Sequence, residues 1–154
     1  MNKELEQKFV KRWPDWFDVN GSVQHTLMPF GFECGDGWFQ LIWDLCEDIE
    51  KILNEVFHEM GLSDDDIKVR QVTRKLDKEQ IKDFEVIQVK EKFAGLRFYY
   101  EDAVEGEGKI IKRVQKAEEL SLVTCEECGK EGKVTGKNWL KTLCENCEKE
   151  RNRT

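Results

Sequence analysis

The chain has 154 residues, six of them cysteines, a formal charge of −7 at pH 7, and 39% hydrophobic against 37% charged residues. This size admits one domain, or one domain with a small appendage, and the supply of Phe, Trp, Leu, Ile and Val excludes a disordered chain. Net acidity argues against a protein that coats nucleic acid regardless of sequence, but permits a local basic patch or an acidic surface shaped for a basic partner.

Residues 2–12 read as a short helix with Leu5, Phe9 and Arg12 or Trp13 on one side, stopped by Pro14. The aperiodic stretch 22–37 reads as a loop packed by Met28, Phe30 and Phe32. Trp38 to Met60 is the longest periodic segment. Trp38, Leu41, Leu45, Ile49, Ile52, Val56 and Met60 follow helical spacing, Ile42, Cys46, Leu53 and Phe57 widen the stripe, and Asp36 stands as N-cap before it and Gly61 as stop after it. Ser63-Asp64-Asp65-Asp66 reads as a solvated break and 67–76, with partial alternation, as an outer strand. Residues 85–92 and 96–101 form the two arms of a hairpin around Phe93-Ala94-Gly95. One face carries Ile87, Val89, Phe93, Leu96, Phe98 and Tyr100, and the other Gln88, Lys90, Lys92, Arg97 and Tyr99. An acidic loop over 102–108 precedes a second helix over 109–122, with Ile110, Val114, Ala117 and Ser121 on its inner face.

The strongest signal is Thr124 to Cys147. Cys125 and Cys128 make one C-x-x-C and Cys144 and Cys147 another, fifteen residues apart, a spacing suited to one zinc held by four thiolates. Gly129 permits a tight knuckle, Val134-Thr135 and Trp139-Leu140 flank a turn at Gly136-Lys137-Asn138, and Glu145 to Arg153 can form a short helix. Knuckle, hairpin and helix describe a treble clef, with a plain zinc ribbon and a pair of disulfides as alternatives. The start MNKELEQKF lacks an apolar signal core, and no later run reaches membrane-spanning length. Six cysteines then point to a reducing cytoplasm, where thiolates bind metal. The expected architecture is α+β: a long helix on a three-stranded, mainly antiparallel sheet over 1–121, with a zinc module over 122–154 packed against it.

Three stretches, PFGFECGDGWFQLIWDLCEDIE, QVKEKFAGLRFYYE and AEELSLVTCEECG with GKNWLKTLCENC, resemble a widespread group of small bacteriophage and prophage proteins. That group looks alike in a Gly-Asp-Gly-aromatic turn before a helix (Gly35-Asp36-Gly37-Trp38), a strand pair ending in Leu-Arg-Phe-Tyr (Leu96 to Tyr99), and a terminal module with Trp before Thr-Leu-Cys (Trp139, Thr142 to Cys144). Its last metal ligand is often histidine where this chain has Cys147, and its strand turn is usually Gly-Gly or Gly-Thr where this chain has Ala94-Gly95. The resemblance implies a phage origin and an infected bacterial cell as setting, and carries no activity with it.

Candidate chemistry follows from residue types. A four-cysteine zinc site is closed and therefore structural. Cys34, nine residues after His25, is a conceivable nucleophile with a histidine base, or simply a small packed residue. Gly35, Asp36 and Gly37 ahead of Trp38 can cradle an anion or cap the helix. Lys90, Lys92, Arg97 and Tyr99 on one sheet face suit a nucleic acid or nucleotide, with Lys133, Lys137 and Lys141 on the zinc hairpin as helpers. The leading expectation is a non-enzymatic accessory protein that binds a host or phage protein and inhibits a host antiviral or nucleic-acid-processing system. A nucleic-acid or nucleotide binder comes second and an enzyme built on Cys34 third.

Overall fold

The computed structural model describes residues 1–76, 82–104 and 107–153, and the fold is α+β with five helices and two small antiparallel sheets. Helix α1 spans Lys3–Arg12, and the Asn2 side chain accepts the Leu5 N–H at 3.0 Å to cap it. Its Phe9 is fully buried among five rings: Trp13, Phe17, Phe32, Phe39 and Trp43, with centroids 4.8–6.2 Å away. The loop 22–37 closes over this cluster, burying Met28 and Phe32. Phe30, expected inside, is 63% exposed.

A 3-10 turn at Asp36–Trp38 leads into α2, Phe39–Glu59, which buries Ile42, Leu45, Cys46, Ile49, Leu53, Val56 and Phe57 as its periodicity predicts. Met60 falls off the end of the stripe and is exposed. Asp36 does not cap α2: its carboxylate accepts the Asn2 backbone N–H and the Asn2 side-chain amide, both at 2.7 Å, and so ties α1 to this turn.

The outer strand expected over 67–76 is instead helix α3, Asp64–Leu76. Ser63 and Asp66 form a reciprocal cap: Ser63 N–H donates to the Asp66 carboxylate at 2.9 Å and Asp66 N–H to Ser63 Oγ at 3.2 Å. Three aspartates in the first turn also complement the helix dipole. Alternation over 67–73 is weaker than this start signal. Ile67 is buried, and Arg70 holds Asp83 through two bonds of 2.9 and 2.7 Å while lying over Phe57.

Strands β1 (Phe84–Lys92) and β2 (Gly95–Asp102) pair antiparallel, so the main sheet has two strands where three were expected. The third row is supplied by the loop: Leu27 N–H donates to Ile87 O and Glu33 N–H to Val89 O, and Glu91 N–H donates back to Glu33 O, making a single parallel bridge. A register shift between Val86 and Gln88 makes Ile87 an extra, half-buried residue, so Phe84, Val86 and Val89 share the inner face with Leu96 and Phe98. The turn is Phe93-Ala94, both at positive φ (54° and 65°), and Phe93 is 72% exposed rather than packed.

Helix α4, Glu107–Ser121, buries Ile110, Val114, Ala117 and Ser121, the face the sequence predicts, and runs along both α2 and β2. The acidic loop expected over 102–108 lies partly outside the described residues. Ser121 Oγ and the Glu118 carboxylate accept the Leu96 and Phe98 N–H groups at 2.8 and 3.2 Å, closing the outer edge of β2. After α4 come β3 (Lys133–Thr135), β4 (Lys141–Leu143) and α5 (Glu145–Arg151). Trp139 and Leu140, expected in a strand, belong to the loop 136–140 between them. Among the described residues, no helix is long and apolar enough to cross a membrane.

Candidate metal centre

The Sγ atoms of Cys125, Cys128, Cys144 and Cys147 lie within 4.8 Å of one another, and those of Cys128 and Cys144 are 3.6 Å apart. Sulfurs about 2.3 Å from a tetrahedral ion stand about 3.8 Å from each other, so the cluster fits a metal; a disulfide needs about 2.05 Å. Every cysteine is a free thiol. The chain builds this geometry from short pieces. Lys130 O accepts the Cys125 N–H at 2.7 Å and Cys125 O accepts the Gly129 N–H at 2.9 Å, closing a knuckle in which Gly129 adopts φ +75°. Cys144 follows β4 and precedes α5, and Cys147 sits in that helix's first turn.

The thiols differ in acidity. A backbone N–H from Cys147 helps bring the Cys144 thiol down to about 7, whereas burial and then the neighbouring sulfurs push Cys147 up. Cys128 also ends raised: a backbone N–H near Lys130 favours its thiolate, but burial and the Cys125 and Cys144 thiols outweigh it. One negative charge forms readily and opposes the next, so four thiolates together require a cation at their centre.

The knuckle is seated on the turn before α2. Gly37 N–H donates to Glu126 O at 2.7 Å, Gly35 N–H to the Glu126 carboxylate at 2.9 Å, and the Trp38 indole N–H to Thr124 O at 2.8 Å. A Cβ on Gly37 would stand 2.3 Å from Cys125 O and 2.6 Å from Cys128 N, and one on Gly35 2.3 Å from Glu126 O. Glu126, between Cys125 and Cys128, has a side chain only 1% exposed, and Lys141 Nζ is 2.7 Å from both of its oxygens. Thr142 O accepts the Glu126 N–H at 2.9 Å, and Thr142 Oγ1 donates to Ala94 O at 2.8 Å, joining the β1–β2 turn to the same contact.

Gly35, Asp36, Gly37 and Trp38 are thus neither an open anion cradle nor a helix cap; they receive the knuckle. Nothing in the spacing of Glu126 and Lys141 marks them as a pair, although an acid inside a C-x-x-C is an available hint. Cys34 lies beside this contact, buried, and burial pushes its thiol up to about 12, with Glu126 adding to the rise. His25 lies on the exposed surface. A buried, protonated thiol is a packing residue and not an activated nucleophile. Lys90, Arg97 and Tyr99 do share one sheet face, with Lys90 directly opposite Arg97 and its Nζ 5.4 Å from the Tyr99 ring. Of the helper lysines, Lys141 is committed to Glu126.

Three outcomes follow. Gly37→Ala should destabilise the fold by about 2–3 kcal/mol, because backbone and not a flexible side chain meets the new methyl, and lower Tm by about 4–10 °C in a thermal melt. Lys141→Met, which leaves a buried carboxylate unpaired, should cost about 3 kcal/mol in a denaturant titration; adding Glu126→Gln should recover at least about 1 kcal/mol. Iodoacetamide should leave Cys34 unmodified in the folded protein and alkylate it in guanidinium, as read by peptide mass. Its folded value exceeds the ordinary 9.0, so the stability it contributes is full below 9.0 and is lost as pH climbs from there to about 12. Comparison with known families, curated proteins and solved structures finds no match to this chain, so its function is read from its own residues.

Proposed function

We propose that the chain is a non-enzymatic, zinc-containing accessory protein of phage origin. It works in the cytoplasm of the infected or lysogenic bacterium by binding a host or phage protein, as an inhibitor of an antiviral defence or a nucleic-acid-processing system. Zinc suits four thiols at tetrahedral separation, and with all four positions taken no site remains for water or substrate. Knuckle, hairpin and a helix carrying Cys147 in its first turn support a treble clef over a plain ribbon.

The observation that carries the binding role is where apolar surface is left open. Leu122, Val123, Val134, Trp139 and Leu140 are all 38–68% exposed and gather around the thiol module. Tryptophan is the residue most enriched at binding hot spots, and Trp139 is 68% exposed. Between Cys125 and Arg153 seven cations meet six carboxylates, and the zinc-thiolate centre adds about −2, so the module is not a polyanion site. That balance favours a protein partner on this surface.

Native mass spectrometry should find one zinc per chain, and chelation should speed hydrogen exchange at Gly35 and Gly37 together with the module. A tagged protein should capture a stoichiometric partner from expressing bacteria despite nuclease treatment. The purified partner should rebind in calorimetry, and binding should weaken about tenfold or more with Trp139→Ala. A folded, metal-free protein, or rebinding indifferent to Trp139, would remove the basis for this reading.

A further inference from the structure

We propose that the open face of the β1–β2 hairpin is a second binding surface, for single-stranded nucleic acid, in which Lys90, Lys92 and Arg97 hold phosphates and Tyr99 and Phe93 stack bases. The residues are those of the sheet and not of the thiol module, so the inference stands apart from the protein-binding reading.

The face departs from ordinary solvated sheet in three ways. First, Lys90 and Arg97 are direct cross-strand partners, an arrangement that destabilises a sheet by like-charge repulsion. Among the described residues no carboxylate within 4.0 Å offsets that repulsion, and the one hydrogen bond of the Arg97 guanidinium is to the neighbouring Leu96 O, at 2.7 Å. Second, two aromatic rings stand in solvent beside these cations. Tyr99 is 44% exposed with Lys90 Nζ 5.4 Å from its centroid, and Phe93 is 72% exposed with Lys92 Nζ at 5.5 Å. Third, Phe93 holds φ +54°, which costs a non-glycine residue about 1 kcal/mol or more, and no burial of its ring offsets that cost.

The class of ligand follows from what the face can and cannot accept. Both sheet edges are closed, by Ser121 and Glu118 on β2 and by the loop at Leu27 and Glu33 on β1, so a partner cannot add a strand and must lie across the face. Cations alternating with exposed rings match phosphates alternating with bases, and a duplex hides the bases that the rings would stack. The row of β2 that carries Arg97 and Tyr99 continues to Glu101, paired with Glu85, so a polyanion is repelled beyond Tyr99 and contact is confined to the hairpin half, room for two or three nucleotides.

The test uses the metal-loaded full chain and fluorescent dT and U oligomers of about 12 nucleotides, followed by anisotropy from about 50 to about 200 mM salt. Binding should saturate, and log K should fall with log salt with a slope of about −2, as three phosphate contacts on a single strand give. Lys90→Glu with Arg97→Glu should weaken it about tenfold or more; Tyr99→Ala should weaken it about tenfold while Tyr99→Phe restores it. Where a variant melts early, Lys92→Glu, at the exposed end of the hairpin, gives the same reading without touching the core. Three results would overturn the inference: no saturable binding, equal affinity for a duplex, or affinity unchanged in the charge-reversed variants. A nuclease-insensitive protein captured through this face, with no strand bound, would also overturn it.

Discussion

One buried carboxylate holds the two ends of this chain together. Glu126 sits inside the knuckle, 1% exposed, where an unpaired charge would cost several kcal/mol. Lys141 meets both of its oxygens and the Gly35 N–H bonds one of them, while its backbone accepts from Gly37 and donates to Thr142. Charge, donor and acceptor of a single residue therefore engage the turn before α2, β4 and, through Thr142, the β1–β2 turn. Glu126 can be presented this way only while Cys125 and Cys128 are folded back into a knuckle. A metal bound by the four thiols would be coupled through the knuckle to the contact that seats the module on the core.

The same contact occupies the two most chemically suggestive stretches. A Gly-x-Gly turn before a helix offers N–H donors to an anion, and here the donors are used: Gly35 binds the protein's own carboxylate and Gly37 the carbonyl of the same residue. The anion at this turn is Glu126. Cys34 is covered by this arrangement, and burial holds its thiol far from ionisation.

What the sequence reveals and what it hides divide along physical lines. Local periodicity recovers α2 and α4 to within a residue or two, including the inner face Ile110, Val114, Ala117 and Ser121, since that pattern is set by burial alone. The two C-x-x-C pairs locate the four-cysteine cluster because ligand spacing is a local constraint. The errors arise where non-local or competing terms decide. Alternation at Ile67, Val69 and Gln71 loses to the Ser63–Asp66 cap; Ile87 is displaced by a bulge that composition does not show; the third sheet row comes from a loop whose bonds are made by backbone. Gly35 and Gly37 look like a ligand site because their true requirement, room for the Cys125–Cys128 backbone, lies about ninety residues away.

Charge is distributed by the same division of labour. The first sixty residues hold twelve carboxylates against five cations and so carry the whole net charge of −7; the remainder of the chain is balanced. Much of that acidity lies on α2 and is met across the helix interfaces, by Arg113 at Asp48, Lys109 at Glu55 and Arg12 at Glu50. Arg113, Lys109 and Arg12 are thus engaged by carboxylates of α2, while Lys90 and Arg97 face each other across the sheet. With a screening length of about 10 Å at 0.1 M salt, a ligand approaching Lys90 and Arg97 responds to that local pair more than to the distant excess of acid. An acidic protein can for this reason present a local cationic pair on one sheet face while much of its acid is held on α2.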